Sequence, residues 1–218
     1  MVNKRTAWYD NTVLPKAMVE AAIRGKKDIF DIDGKRVMVP AARKTHPYLV
    51  LDSFIKSINN CVTIADVGCG AAELGDIYKE FDYTGFDLPH IIDGVANVVN
   101  PNLKYVKFDA QTADFSVFKN FDLIICNGFI SELPNPLEIL NKLLMNMKKH
   151  LIIHRQFFNE DKLSLNVATN VSKYKTYGDL EVVRADIGKE EFNNLLTNHI
   201  IIKEESNVFG KSILIEKI

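Results

Sequence analysis

The stretch with the most chemical content is Asp66-Val67-Gly68-Cys69-Gly70-Ala71-Ala72-Glu73. Its small residues let a backbone turn sharply from a strand into a helix and approach a ligand closely. A turn of this kind commonly cradles a pyrophosphate at a helix N-terminus. Here Asp66, two positions before the first glycine, would repel a phosphate. The dinucleotide fingerprint also asks for a third glycine where this chain has Glu73. The turn therefore suits a ligand that brings positive charge and no phosphate.

Three further elements follow in order. Asp87, with Leu88 behind it, lies 21 residues after Asp66, where a carboxylate can accept both hydroxyls of a ribose. Asp109-Ala110 offers an acid or a backbone amide to an adenine amino group. Asn127-Gly128 ends the next apolar run. Taken singly, acids and Asn after strands often only turn the chain or cap helices. Together with the acidic glycine turn, which comprises Asp66, Gly68, Cys69 and Gly70, they describe a site for S-adenosylmethionine. That cofactor has an ammonium and a sulfonium but no phosphate, and leaves as S-adenosylhomocysteine.

The elements that must position these residues are short apolar runs alternating with helices. Cys61–Val67, Thr84–Phe86, Leu103–Phe108, Phe121–Cys126 and Leu151–His154 read as five strands, each ending at a candidate ligand residue. Between the fourth and fifth, Asn135, Pro136 and Glu138 have the spacing of a helix start with a capping box. A helix at Lys189–Thr197 carries Phe192, Leu195 and Leu196. The segments His199–Glu205 and Ser212–Ile218 then suit an antiparallel hairpin joined by Ser206–Lys211. The expected fold is α/β and Rossmann-like: a seven-stranded, mostly parallel sheet with an antiparallel C-terminal hairpin and helices on both faces. Such sheets bind ligands at the carboxyl ends of their strands.

A single domain spanning 1–218 is expected, with four parts: an N-terminal helical cap (1–58), a cofactor-binding core (59–154), an insertion or lid (155–188), and a C-terminal helix and hairpin (189–218). In the cap, Asn11 opens a helix with Leu14, Met18 and Ala22 on one face and Gly25 at its end. A loop containing Asp33-Gly34 follows, and Thr45 then caps a helix bearing Leu51, Phe54, Ile55 and Ile58. Aromatics at Trp8, Tyr9 and Tyr48, and at Phe157, Phe158, Tyr174 and Tyr177 in the insertion, are placed to shape an acceptor site or to pack on the core.

Composition narrows the functions. The formal charge is −1, from 27 basic and 28 acidic residues, which lacks the basic footprint of a nucleic-acid binder. Lys35, Arg36, Arg43 and Lys44 are the best candidate for a local basic patch, which reads as a solvated face. No apolar run approaches the roughly 20 residues needed to span a bilayer. The segment MVNKRTAWYD has no secretory signal, so a cytoplasmic location is expected. Cys61, Cys69 and Cys126 form no C-x-x-C pair, and no acid cluster marks a divalent-metal site, so neither a disulfide framework nor a bound metal is expected.

On these motifs, Cys61–Ile153 resembles the core of the class I, Rossmann-like S-adenosylmethionine methyltransferases. Ala72 stands where many members have a third glycine. More loosely, Ala22–Lys26, His46-Pro47-Tyr48 and Leu151–Arg155 are similar to methyltransferase-like proteins encoded among bacterial surface-polysaccharide genes. That family tends to have an acid where this chain has His154. The resemblance implies methyl transfer to a small molecule or sugar, with surface-glycan assembly as the setting. Alternative readings are an RNA or protein methyltransferase, or a catalytically silent binding module.

Methyl transfer needs alignment above all, and a hydroxyl acceptor also needs a base. His154, at the end of the fifth strand with Arg155 beside it, is the first candidate, and Glu132 the second; His46 could reach the pocket from the N-terminal helices and His90 from beyond the second strand. An Asn or Asp followed by two prolines and an aromatic would mark methylation of amide or adenine nitrogens. Asn127-Gly128-Phe129-Ile130 stands there instead and disfavours that chemistry.

Overall fold

The computed structural model describes residues 14–27, 29–32, 35–38, 46–159, 170–174, 180–207 and 210–218. The first described elements are α1 (Leu14–Lys27), the pair β1 (Ile29–Ile32) and β2 (Lys35–Met38), and α2 (His46–Ile55). Then come β3 (Thr63–Val67), α3 (Glu73–Ile77), β4 (Asp82–Asp87) and α4 (Pro89–Ile91), which runs on through a π-helical turn, Ile92–Ala96, into α5 (Asn97–Val99). After β5 (Lys104–Lys107) and β6 (Leu123–Asn127), a 3-10 turn, Ile130–Glu132, leads to α6 (Pro136–Asn146) and β7 (His150–Gln156). The rest comprises β8 (Phe158–Asn159), β9 (Asn170–Tyr174), β10 (Leu180–Arg184), β11 (Ile187–Gly188), α7 (Lys189–Leu195), β12 (His199–Asn207) and β13 (Gly210–Lys217).

Seven strands form one sheet in the order β12-β13-β7-β6-β3-β4-β5. The last five of that order are mutually parallel, and β13 and β12 close one edge antiparallel. This is the architecture expected from the alternating runs. Parallel strands covered on both faces read as continuous apolar sequence, and here the two faces separate cleanly. Ala65, Val67, Ile124, Cys126, Leu151 and Ile153 pack under α6 and α7. Their alternates Ile64, Leu123, Ile125 and Ile152 pack under α2 and α3. On the first of these sides Phe108 meets Phe86, Phe115 and Phe118 edge to face, and Phe86 and Phe118 stack at a tilt.

The N-terminal region is not wholly helical. Ile29–Ile32 pairs antiparallel with Lys35–Met38, flanking Asp33-Gly34, where the sequence reading expects only a loop. Asp-Gly between β-branched runs is itself a strong hairpin signal, and that signal outweighs helix propensity here. Helix α1 also continues past Gly25 to Lys27, since an internal glycine costs a helix only about 1 kcal/mol. Asn135 begins α6 without a side-chain cap to the backbone; its amide reaches the Glu138 carboxylate at 3.5 Å instead. The C-terminal strands extend into the expected connection, so that Asn207 pairs with Gly210. Asn11, Thr45, Trp8, Tyr9 and Tyr177 lie outside the described residues, as do the side chains of His46 and Tyr48.

Two irregularities bear on the site. Opposite Ser212 of β13, strand β7 carries both His154 and Arg155, because Lys211 pairs with Gln156 while Ile213 pairs with Ile153. Arg155 takes φ 60° in this bulge, a left-handed conformation uncommon for a residue with a Cβ. In the insertion, β9 and β10 form a hairpin, and β10 lies against the 3-10 turn that carries Glu132. The Ala185 N–H donates to the Ser131 carbonyl at 2.7 Å.

Candidate active site

In this sheet β3 is flanked by β4 on one side and β6 on the other, so the chain reverses its direction of winding there. Loops diverge at such a point and leave a crevice at the carboxyl ends of the strands. A cavity of about 400 Å³ occupies it, with the glycine turn after β3 as its floor. Helix α1 contributes Met18, Ala21 and Ala22 to its wall.

The turn is built for close approach. Gly68 has φ 76°, and a Cβ there would sit 2.4 Å from the Phe129 ring. Ala72, where many related turns have glycine, adopts the left-handed φ 56° and is fully buried. The Asn100 amide braces it by donating to the carbonyls of Ala71 and Ala72 at 2.8 and 3.3 Å.

Asp66, the penultimate residue of β3, lies at this wall, 2% exposed. Tyr83 donates its hydroxyl to Asp66 Oδ2 at 2.6 Å, whereas Oδ1 has no hydrogen-bond partner. Burial pushes the carboxyl up to about 7, with the Tyr83 hydrogen bond opposing the rise and the nearby Asp87 adding to it. Asp87 ends β4 and accepts the N–H groups of Gly70 and Leu88 at 2.8 and 2.7 Å. Burial raises Asp87 to about 6, and those two bonds limit the rise.

A buried carboxylate oxygen without a donor is costly unless a cation comes to meet it. The donor set therefore fits the ammonium end of S-adenosylmethionine, and the bare turn leaves room for its nucleoside. The residues able to hold it are Asp66, Gly68, Cys69, Gly70, Asp87, Leu88, Ala110, Asn127 and Gly128, all of which line the cavity. Asp109, grouped with them from sequence, does not line it. Its carboxylate accepts the Gln111 N–H at 3.0 Å in a local turn, and Phe108 and Ala110 form the wall there.

The two base candidates separate sharply. Glu132, on the 3-10 turn after β6, lines the cavity. His154 does not: it is 2% exposed, and its Nδ1 is 2.8 Å from Ser212 Oγ. Burial, aided by the adjacent Arg155 charge, lowers its pKa to about 3. The bulge in β7 brings Arg155 to the cavity wall instead. Its Nε donates to Asn127 Oδ1 at 2.8 Å, and Gly128 leaves room for the guanidinium, since a Cβ there would meet Nη2 at 3.0 Å. His90 lies on α4, outside the cavity lining. Tyr83 and Phe129 had no recognisable signal in sequence, because what matters in each is a contact with a residue on another element.

The fold is that of the class I, Rossmann-like S-adenosylmethionine-dependent methyltransferases. CalS10, an amino pentose methyltransferase from Micromonospora echinaspora solved with S-adenosylmethionine bound, superposes with a TM-score of 0.58 at 13% identity, covering 82% of this chain and 94% of its own. The N-terminal domain of EvdMO1, with S-adenosylhomocysteine bound, gives 0.54 at 13% identity over 98% of this chain and 99% of its own. The magnesium protoporphyrin IX methyltransferase ChlM of Synechocystis PCC 6803 gives 0.55 at 17% identity over 95% and 98%. The family model described as methionine biosynthesis protein MetW matches residues 50–176, more than half of the sequence, and the chain belongs to that family. No curated protein sequence matches it significantly.

Proposed function

We propose that the protein is a cytoplasmic S-adenosylmethionine-dependent methyltransferase that methylates a hydroxyl of a sugar or other small molecule. The observation that carries this reading is the buried, donorless Asp66 Oδ1 at the wall of a cavity floored by the Gly68–Gly70 turn. When bound, the cofactor supplies a methyl group on a good leaving group. The protein's tasks are then to bind, align and exclude water.

Asp66 and the backbone of Gly68–Gly70 hold the amino-acid end, with Asn127 and Gly128 beside it. Asp87 takes the ribose, and Phe108 and Ala110 flank the adenine. Glu132 is the base that receives the acceptor's hydroxyl proton. It lines the cavity, whereas His154 is sealed against Ser212 and too weak a base near neutral pH. Strand β10 of the insertion, packed on the turn that carries Glu132, shapes the acceptor side, and α1 caps the cofactor side.

A carbohydrate acceptor is supported by the sequence resemblance to proteins of surface-polysaccharide loci. Two structural relatives point the same way: CalS10 acts on an amino pentose, and EvdMO1 was crystallised in the presence of D-fucose. The test is calorimetry with S-adenosylhomocysteine, followed by mass spectrometry of glycans and metabolites from cells with and without the protein. Micromolar binding and a mass difference of one methylene are expected. Absence of binding overturns the assignment, and binding without any methylated product favours a silent module.

A further inference from the structure

We propose that Arg155 forms a carboxylate-binding subsite at the β6–β7 end of the cavity, beside the place where the methyl group is transferred. This rests on the methyltransferase reading of the cavity. Arg155 is the only Lys, Arg or His among the described lining residues, in a wall that also carries Asp66, Glu73, Asp87 and Glu132. No carboxylate forms an ion pair with it among the described residues, and its sole hydrogen bond there is Nε–H to Asn127 Oδ1 at 2.8 Å. That bond fixes the plane of the guanidinium and leaves both terminal nitrogens with donors to offer. A planar fork held in this way is matched to the two oxygens of a carboxylate.

The backbone around Arg155 is shaped to present it. The bulge opposite Ser212 breaks the alternation of β7, so that His154 is interior and Arg155 reaches the cavity. The left-handed φ of 60° would suit glycine far better than arginine. Neighbouring glycines give way to it: a Cβ at Gly128 would meet its guanidinium, and one at Gly210 would lie 2.9 Å from its backbone carbonyl carbon. Strained residues of this kind cluster at active sites and ligand clamps.

The carboxylate has two possible sources, the amino-acid end of the cofactor or the acceptor. Calorimetry on wild type, Arg155→Gln and Arg155→Gly compares S-adenosylhomocysteine with methylthioadenosine, which lacks the amino-acid end. NMR of the Arg155 Nε–H follows acetate added to the free and the S-adenosylhomocysteine-saturated protein.

If the cofactor supplies the carboxylate, both variants lose roughly 10- to 100-fold in affinity for S-adenosylhomocysteine and nothing for methylthioadenosine. If the acceptor supplies it, S-adenosylhomocysteine affinity stays in both variants, and acetate perturbs the Arg155 Nε–H signal of the saturated wild type. Arg155→Gly relieves the left-handed strain, so its Tm equals or exceeds that of wild type while binding is lost. Unchanged S-adenosylhomocysteine affinity in both variants, together with no acetate effect on the wild-type Arg155 Nε–H, overturns the subsite. Failure of wild type to bind S-adenosylhomocysteine would overturn the methyltransferase reading separately, and the acetate response of the free protein would still decide the role of Arg155.

Discussion

Tyr83 and Asp66 share a buried hydrogen bond of 2.6 Å between neighbouring parallel strands, Tyr83 Oη donating to Oδ2. The bond leaves the other carboxylate oxygen, Oδ1, without a donor at the cavity wall. Asp66 is thereby held in place by one oxygen and offered to a ligand by the other. Its ionisation links stability and ligand binding.

In the absence of ligand, Asp66→Asn should stabilise the protein above neutral pH. An unfolded Asp ionises near 3.8 and the folded one near 7, so stability from this group is complete below about 4 and is lost as pH rises through about 7. The neutral amide removes that loss. Thermal melts at pH 8 should show the variant higher by at least about 2 °C, with the gap narrowing as pH falls and closing near pH 4. A variant no more stable at pH 8 would mean that Asp66 is not charged and strained there.

Binding of S-adenosylhomocysteine, whose ammonium favours the ionised carboxylate, should release a proton from Asp66 between pH 5.5 and 7. Affinity then climbs with pH over this range, and the calorimetric heat depends on the ionisation enthalpy of the buffer. Tyr83→Phe removes the bond that lowers the Asp66 pKa, so the same climb should shift to higher pH. Binding that does not vary with pH in wild type would contradict the linkage.

Gly68→Ala places a methyl group 2.4 Å from the Phe129 ring at a backbone φ of 76°. Strain and the clash together should cost about 1–3 kcal/mol of stability and abolish cofactor binding. Chemical denaturation and calorimetry measure the two effects separately.

Glu132→Gln should lower kcat by roughly a hundredfold to ten-thousandfold with little change in cofactor affinity, as expected for loss of a general base. His154→Ala should behave in the opposite way. Emptying its buried site and leaving Ser212 without its partner costs about 2–4 kcal/mol of stability, while kcat on the folded enzyme stays near wild type. A slow but fully stable His154→Ala enzyme would return the base role to His154.

The sequence by itself determined the sheet and the chemistry of its central turn. Apolar runs as short as Leu123–Cys126 and Leu151–Ile153 read as strands covered on both faces, and each ends where the chain changes to small or polar residues. The preference for a cation at Asp66-Val67-Gly68-Cys69-Gly70 is a property of adjacent residues, and so was legible locally. Tertiary structure decided which side chains at the strand ends reach the cavity: Ala110 and not Asp109, Arg155 and not His154. The second choice is made by a bulge against Ser212, 58 residues away from His154. Side-chain direction at the end of a strand follows from the register of its neighbours, which no local pattern in the sequence encodes.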